Sequence, residues 1–289
     1  MCRLLGLSAG MQPVHATFWL VDAPDSLEVE SRRNVDGSGI GYFRADGSPV
    51  VDKQPEAAYR DVDFVREAVE IEACTFVAHV RWASTGVVSL ENTHPFSMAG
   101  RLMAHNGGLG DLPTLEAQLG EYRDLVRGDT DSERYFALIT QQIDRHGGDV
   151  GAGLAAAASW IAGHLPVSSL NTVVITGHEM WALRYPETHA LHIIERPAGA
   201  SAASTSVGPS ATGMHVRSAT SSVHSDDLHT QDSVVIASEE LDGESGWRML
   251  DVGELVHVSA DLTVTSTIAI PDAPAHLVPL PAANPNIDT

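Results

Sequence analysis

The sequence predicts an α/β (α+β) protein of four layers, a sandwich in which helices cover the outer faces of two mostly antiparallel sheets. Strand-like apolar runs fill the first part of the chain, helical spacing fills the middle, and strand patterns return afterwards. Each apolar sheet face needs a covering layer, and the helices can supply the outer ones. The 289 residues can bury a full core and suit one large domain or two small ones.

The first part of the chain contains three predicted strands or strand entries and one helix. Apolar runs predict strands over Cys2–Ser8 and Thr75–Trp82, and a third strand entered at Tyr42–Phe43. Before that entry, Asn34–Gly41 is rich in Gly and Asp, which is typical of a hairpin turn. Apolar residues at helical spacing predict a helix within Pro55–Glu72.

The middle and last parts hold the remaining elements. The strand Arg101–His105 is expected to end in Asn106–Gly108, where the double Gly allows close backbone approach. A helix is expected to begin after Thr130, which would cap it while Glu133 reaches back, placing Asp131 in the first turn. The other predicted elements are helices at Leu112–Tyr122 and Val150–Ala162 and strands at Thr172–Thr176, Met180–Arg184, Ala190–Ile194, Ser233–Ser238, Glu254–Val258 and Leu262–Ile270.

The predicted domain spans residues 2–270 and contains a flexible insertion at about 197–232. Much of that insertion is Ala/Ser/Gly/Pro-rich with almost no apolar anchors. Residues 271–289 are predicted to be a Pro/Ala-rich tail. The spacing of three histidines in the insertion matches no compact metal site, which favours solvated loop residues over a metal centre: His215, His224 and His229.

Composition excludes several classes of function. The formal net charge is -21, from 17 basic and 38 acidic residues, so nucleic acid and anionic membranes are poor partners. No apolar run approaches the ~18 residues of a membrane span, and no signal sequence is recognisable, so the expected location is cytoplasmic. The two cysteines, Cys2 and Cys74, provide no disulfide framework and no metal cluster, and we expect no cofactor.

The second residue, Cys2, is the strongest indication of chemistry. Removal of an initiator Met is efficient before small residues and would leave this cysteine at the N-terminus. A terminal cysteine carries a thiol nucleophile and a free α-amine. Because that amine titrates near ~7.7–8.0, it can accept the thiol proton without a separate histidine. Any chain can have Cys second, so the prediction depends on residues elsewhere.

Other residues supply what a thiolate needs to attack a carboxamide: oxyanion donors, a cation for a carboxylate and an anion for an ammonium. The Asn106 amide and the Gly107 N–H follow a predicted strand and can converge on one oxygen. Arg81 offers a bidentate fork and Asp131 a carboxylate. Each has an ordinary structural explanation, as a turn, an ion pair or a helix start. Their conjunction favours an α-amino acid with an amide side chain, and glutamine is the obvious candidate.

Six motifs occur in order, namely Met1-Cys2-Arg3, Asn34-x-Asp36-Gly37-x-Gly39-x-Gly41, His79-Val80-Arg81-Trp82-Ala83-Ser84, Asn92-Thr93-His94-Pro95-Phe96, His105-Asn106-Gly107 and Thr130-Asp131-Ser132-Glu133. Together they resemble the class II (N-terminal nucleophile) glutamine amidotransferase family, from residue 2 to about 260. The layout looks closest to small stand-alone members such as the ergothioneine-pathway γ-glutamyl hydrolase.

The resemblance implies the αββα sandwich of N-terminal nucleophile hydrolases and a role for each motif residue. It implies that Cys2 is the nucleophile with its own α-amine as base, and that Asn106 and Gly107 form the oxyanion hole. It implies that Arg81 binds the α-carboxylate of glutamine and Asp131 its α-amino group. It also implies that the glutamine pocket is lined by Trp82, Ser84 and Thr85. Three histidines are expected to be structural neighbours: His79, His94 and His105.

Three functional hypotheses follow. The first is a stand-alone hydrolase of glutamine or a γ-glutamyl amide, favoured by the short layout and because no synthetase or phosphosugar-binding domain is recognised after the amidase motifs. The chain departs from relatives with a sugar-phosphate synthase domain at Thr85, where they often carry His. The second is an ammonia-supplying glutaminase subunit that works only with a separate synthase partner. The third is a degenerate binding or regulatory protein, disfavoured because every expected catalytic position is filled.

Overall fold

Two antiparallel sheets lie face to face in the computed structural model, which describes residues 2–83, 86–198, 231–243 and 245–279. The strands are β1 Arg3–Ser8, β2 Val14–His15, β3 Ser38–Phe43, β4 Pro49–Gln54, β5 Glu72–Ala73, β6 Thr75–Val80, β7 Phe96–Met98, β8 Arg101–Leu109, β9 Val167–Ile175, β10 Met180–Leu183, β11 His192–Arg196, β12 Ser233–Ala237, β13 Arg248–Met249, β14 Glu254–Val258 and β15 Val264–Ile268. The helices are α1 Leu27–Glu30, α2 Val62–Glu70, α3 Leu112–Leu119, α4 Asp131–Arg145 and α5 Val150–His164, with short helical turns at Phe18–Asp22 and Gly120–Leu125.

The first sheet has the order β13-β11-β12-β1-β6-β3-β4, and the second has the order β15-β14-β10-β9-β8-β7. A small ribbon pairs β2 with β5. The strand β1 lies in the middle of its sheet, between β6 and β12, and the residue after Cys2, Arg3, pairs with Val80. The start of β1 and the end of β6 therefore lie side by side.

Three apolar clusters separate four layers. On β6, Phe76 faces outward and belongs to the cluster that includes Phe64 of α2. The next residue, Val77, faces inward and belongs to the cluster between the sheets with Val173 of β9, as the period of two requires. The third cluster joins α4 and α5 to the outer face of the second sheet. The predicted αββα sandwich is therefore confirmed.

Three strands extend well beyond their predicted bounds. β9 begins at Val167, five residues before the predicted Thr172. β3 begins at Ser38, inside the Gly-rich run interpreted as a turn, and pairs with both β4 and β6. β8 does not end at His105 but continues through Asn106–Gly108 to Leu109, paired with β9. The extensions of β3 and β8 contain Gly, whose missing side chain permits the close packing described below.

The chain after residue 270 continues to contact the fold. The Val167 N–H donates to the His276 carbonyl at 3.0 Å, and the Val278 N–H donates to the Val167 carbonyl at 3.0 Å. Positions 280–289 of the predicted tail lie outside the described residues, as does the predicted insertion at about 197–232 except for its ends. No helix within residues 2–83, 86–198, 231–243 or 245–279 is long and apolar enough to span a bilayer.

Candidate active site

Cys2 lies at the start of β1, against the end of β6. The Trp82 N–H donates to the Cys2 Sγ at 3.1 Å, and the thiol lies 3.3 Å from the Trp82 carbonyl as a possible donor. The loop that follows Trp82 is held by Asp36, whose Oδ2 accepts from the Ala83 N–H at 2.8 Å. Burial raises the pKa of the Cys2 thiol, opposed by the Trp82 N–H and by the positive charge of Arg81. The thiol is therefore protonated at neutral pH in this environment.

The Gly-rich motif of β3 forms a flat surface under the segment Thr93–Pro95. Its glycines at period two meet successive residues of that segment: a Cβ at Gly37 would lie 2.9 Å from the Thr93 hydroxyl, one at Gly39 2.4 Å from the His94 carbonyl, and one at Gly41 3.0 Å from the Pro95 ring. The Lys53 ammonium fixes the segment from one side by donating to the Thr93 carbonyl at 2.6 Å. The spacing of the motif is thus a packing requirement, which places His94 beside Cys2.

Arg81 is buried beside Cys2, with 3% of its surface exposed. Its Nη1 donates to the Val87 carbonyl at 3.2 Å, and Asn92 holds the same carbonyl through its Nδ2 at 3.0 Å. Burial lowers the pKa of the Arg81 guanidinium, while the nearby thiol and carboxylates, including Asp131 and Asp129, raise it. The site therefore holds a cation within a predominantly acidic surrounding.

Asp131 is the first residue of α4 and is 3% exposed. Its Oδ2 accepts from the Leu109 N–H at 2.8 Å, which joins the helix start to the end of β8. As predicted, the Thr130 side chain caps the helix by accepting from the Glu133 N–H at 3.3 Å. The prediction that the Glu133 side chain reaches back to Thr130, as in a capping box, is wrong.

The Glu133 carboxylate instead accepts from the Arg127 N–H at 3.0 Å and the Gly128 N–H at 2.6 Å. The preceding loop turns back over the helix start, and its N–H groups lie closer to the carboxylate. Glu133 therefore stabilises the loop that leads to Asp131, where a capping box would have stabilised the helix end alone.

Asn106 and Gly107 lie on β8 opposite the nucleophile. The Asn106 Nδ2 donates to the Cys2 carbonyl at 2.7 Å, and the amide carries a second N–H. The Leu170 N–H, opposite Gly107, donates to the Tyr185 carbonyl on the far side of β9. The Gly107–Leu170 pair is therefore a non-hydrogen-bonded one, and the Gly107 N–H points away from β9. A Cβ at Gly107 would lie 1.9 Å from the Ser169 carbonyl oxygen, so this position requires Gly.

Three buried histidines surround the site. The His105 Nε2 lies 3.1 Å from the Ser169 carbonyl and its Nδ1 2.9 Å from the Ser132 hydroxyl, which assigns the ring proton to Nε2. His79 and His94 pack ring on ring at 4.2 Å, and their four ring nitrogens have no hydrogen-bond partner among the described residues. Burial lowers the pKa of His79 to about 3 and that of His94 well below its ordinary value. These rings are therefore neutral.

The structure brings most of the predicted site residues to one cavity. Cys2, Arg81, Trp82, Gly107 and Asp131 line it, and Asn106 contacts Cys2 at its border. The cavity measures about 20 Å³, room for about one water molecule, so its walls must move apart before an amino acid can enter. Two predicted lining residues lie outside the described residues: Ser84 and Thr85.

Sequence reasoning missed three contributors to this cavity. Trp82 was predicted only to line the pocket, but its backbone N–H also binds the Cys2 thiol. Ser132 lines the cavity and bonds His105, and Asn92 joins the Arg81 loop to Asp129. Ser132 and Asn92 lie within quoted motifs, so motif membership was the available signal.

Comparison with known proteins identifies the family. The family model described as Glutamine amidotransferases class-II matches residues 1–277. The chain is 30% identical over 170 residues to the probable glutamine amidotransferase DUG3 of Saccharomyces cerevisiae, covering 52% of this chain and 47% of that protein. It is 32% identical over 167 residues to the putative glutamine amidotransferase YafJ of Escherichia coli, covering 56% of this chain and 63% of that protein.

A solved structure shares the fold. The glutamine phosphoribosylpyrophosphate amidotransferase of B. subtilis superposes with a TM-score of 0.61 at 17% identity, covering 94% of this chain and 50% of that chain. The match spans less than two thirds of the length of each of these three proteins. The family model covers nearly the whole chain, and the solved structure shares its fold. The chain belongs to the class-II glutamine amidotransferases.

Proposed function

We propose that the protein hydrolyses the γ-amide of glutamine or of a γ-glutamyl amide through a γ-glutamyl thioester on Cys2, releasing glutamate and ammonia or an amine. One observation carries this proposal: a thiol held by the Trp82 backbone lies in the same cavity as a buried cation, Arg81, and a buried carboxylate, Asp131. An α-amino acid carries the complementary carboxylate and ammonium, and its side chain then reaches toward the thiol. The proposed compartment is the cytoplasm.

The protonated thiol explains the need for a base. Burial raises the pKa of Cys2, so the nucleophile must lose its proton during the reaction. The α-amine of a terminal Cys2 would take it. The sulfur then bonds to the γ-carbon, the C–N bond breaks, and the proton leaves with the amine. Water next adds to the thioester and the C–S bond breaks; glutamate leaves with the hydroxyl group, and the other proton of the water returns through the α-amine to the sulfur. Asn106 and Gly107 would stabilise the oxyanion of both steps.

The processed N-terminus and the nucleophile can be tested together. We expect the intact protein, incubated with the glutamine analogue 6-diazo-5-oxo-norleucine, to lack Met1 and to gain one adduct by mass. The matched control uses the only other cysteine: Cys74→Ala should retain labelling, and Cys2→Ala should lose it without loss of fold. Labelling of Cys2→Ala, or turnover by it, would contradict the assignment.

The substrate-binding roles predict different kinetic effects. Arg81→Ala should mainly weaken substrate binding and lower kcat/KM. Arg81→Lys, which keeps the charge and loses the bidentate guanidinium, should have a kcat/KM between those of Arg81→Ala and wild type.

The role of the α-amine predicts a pH dependence. The activity should fall about tenfold per pH unit below the pKa of the α-amine, since only the neutral amine accepts a proton. A rate that is flat from pH 5 to 9 would argue against that base.

The second function is a glutaminase subunit that depends on a synthase partner. We retain this alternative because half of the longer B. subtilis amidotransferase chain lies outside the region that this chain matches. In that case the isolated chain would be labelled by the analogue but would turn glutamine over only after the partner is added. An unlabelled, Met1-retaining chain would favour a non-enzymatic binding protein.

A further inference from the structure

A second cavity adjoins the one at Cys2. It measures about 340 Å³, and Trp82 and Asn106 line it. Trp82 also lines the Cys2 cavity, and Asn106 donates to the Cys2 carbonyl, so the two cavities meet where the reacting carbonyl of a γ-amide would lie. A cavity of this volume can hold a small organic molecule and is far larger than ammonia needs, since a water molecule of similar size occupies ~30 Å³.

Two buried side chains that line this second cavity carry polar atoms without a hydrogen bond of normal geometry. Asn34 is 1% exposed; its Nδ2 donates to the Glu30 carbonyl at 3.0 Å, but its Oδ1 has no hydrogen-bond partner among the described residues. His189 is 5% exposed; its ring interacts with the Asn106 backbone, but neither ring nitrogen makes a hydrogen bond of normal geometry among the described residues. Buried polar atoms of this kind usually have partners, so these groups indicate a site that a polar ligand completes.

The charges in the cavity favour an anionic ligand. Arg3 is bonded to Glu30 and Glu239, so its charge is balanced within the fold. Arg33, exposed at the cavity wall, has no ion pair within the described ranges. A ligand carboxylate can therefore bind the Arg33 guanidinium without displacing an internal partner.

We propose that this cavity binds the amine part of a γ-glutamyl amide, and that Arg33 selects an amine that carries a carboxylate, such as an amino acid. The inference rests on the function proposed above and deepens it. With the α-carboxylate and α-ammonium at Arg81 and Asp131, the glutamyl part fills the first cavity. The substituent on the γ-nitrogen then extends past Asn106 into the second.

The reaction is the proposed hydrolysis, and the second cavity receives the leaving amine. When the sulfur–carbon bond forms and the carbon–nitrogen bond breaks, the amine leaves with the proton taken from the thiol. The departing amino acid then occupies the second cavity, its amine or other N–H groups within reach of the Asn34 Oδ1 and its carboxylate at Arg33. Glutamine itself would leave this cavity filled with water, so substituted amides should be the better substrates.

The test compares two amides that differ in one charge: γ-glutamylglycine and γ-glutamylethylamide, with glutamine as reference. We expect wild type to hydrolyse γ-glutamylglycine with a kcat/KM about tenfold above that of the ethylamide, the effect of one charged hydrogen bond. Arg33→Ala should bring this ratio close to one. The matched control is Arg32→Ala, which removes the neighbouring exposed arginine, paired with Glu28, and should keep the wild-type ratio.

The outcomes separate the two proposals. If glutamine is hydrolysed but the two amides are cleaved equally or not at all, the second cavity does not select a carboxylate and this inference is overturned. The same conclusion follows if Arg33→Ala keeps the wild-type ratio. If wild type is neither labelled by 6-diazo-5-oxo-norleucine nor active on any of the three compounds, the proposed function itself is wrong, and the inference falls with it.

Discussion

Acidification from pH 7 to pH 5 should strongly destabilise this fold, because several histidines are buried as neutral rings. Burial lowers the pKa of His79 to about 3, that of His189 to about 4, and that of His94 well below its ordinary value. In the unfolded chain these rings titrate near 6.5. As the pH falls below 6.5, the unfolded state binds protons that the folded state does not, so the free energy of unfolding decreases.

The magnitude follows from the same linkage. Between pH 7 and pH 5, one histidine that stays neutral in the folded state lowers the free energy of unfolding by about 2 kcal/mol. Three such residues give about 6 kcal/mol, comparable with the ~5–15 kcal/mol stability of a typical domain. One group acts in the opposite direction: burial, with Asp52 nearby, raises the pKa of Glu67 to about 8, so the folded state gains a proton there. The decisive quantity is therefore a difference between variants.

The assay is urea unfolding of wild type, His79→Gln and His164→Gln at pH 7 and pH 5. His79→Gln should lose about 2 kcal/mol less on acidification than wild type, since Gln does not titrate. His164 is exposed on α5, and its substitution should leave the wild-type difference unchanged. If His79→Gln cannot be purified, His94→Gln replaces it. Equal acid sensitivity of wild type and the buried-histidine variant would refute the argument.

Two glycine substitutions test the close packing around the site. Gly107→Ala places a Cβ 1.9 Å from the Ser169 carbonyl and should lower kcat/KM about 10²–10³-fold by moving the proposed oxyanion donor. Gly108→Ala meets the Ser168 hydroxyl at 3.0 Å and the Asp131 Oδ2 at 3.8 Å, without a backbone clash, and should lower kcat/KM far less; equal kinetics would contradict this. Gly39→Ala meets a backbone carbonyl at 2.4 Å and should lower the thermal midpoint by several degrees, while Gly163→Ala, in open space on α5, should stabilise by about 0.5–1 kcal/mol, and the reverse order would refute the packing argument.

Elements with a regular side-chain pattern could be predicted from the sequence, and elements without one could not. Runs such as Thr75–Trp82 alternate regularly, and β6 was predicted to within two residues. The Gly-rich motif Asn34–Gly41 was interpreted as a turn because Gly and Asp are typical of turns. In the structure, Gly39 and Gly41 are strand residues and Gly37 immediately precedes the strand; all three make room for Thr93–Pro95, a contact between segments about 55 residues apart. The positions of the glycines alone do not indicate which distant segment packs against them.

The site shows the same division between residue type and partner. The sequence indicated Cys2, Arg81 and Asp131 as chemical groups, and the structure places them in one cavity. Partners were harder to predict: Glu133 bonds the preceding loop, and Asp131 bonds the Leu109 N–H, 22 residues away. Such bonds depend on how two elements meet in space, which periodicity within one element does not report.

Because Cys2 lies at the start of a central strand, groups from both sheets and from one helix reach it directly. β1 lies beside β6 in one sheet, so the backbone of Trp82 reaches the thiol directly. The other sheet contributes Asn106 through β8, and α4 contributes Asp131. Each element is fixed by the apolar layer on which it packs, so the geometry of the cavity depends on both sheet interfaces. The proposed second site shares Trp82 and Asn106 with this centre, whereas Arg33, after α1, is exposed. The proposed selectivity for a carboxylate can therefore be changed at Arg33 without disturbing the packed residues.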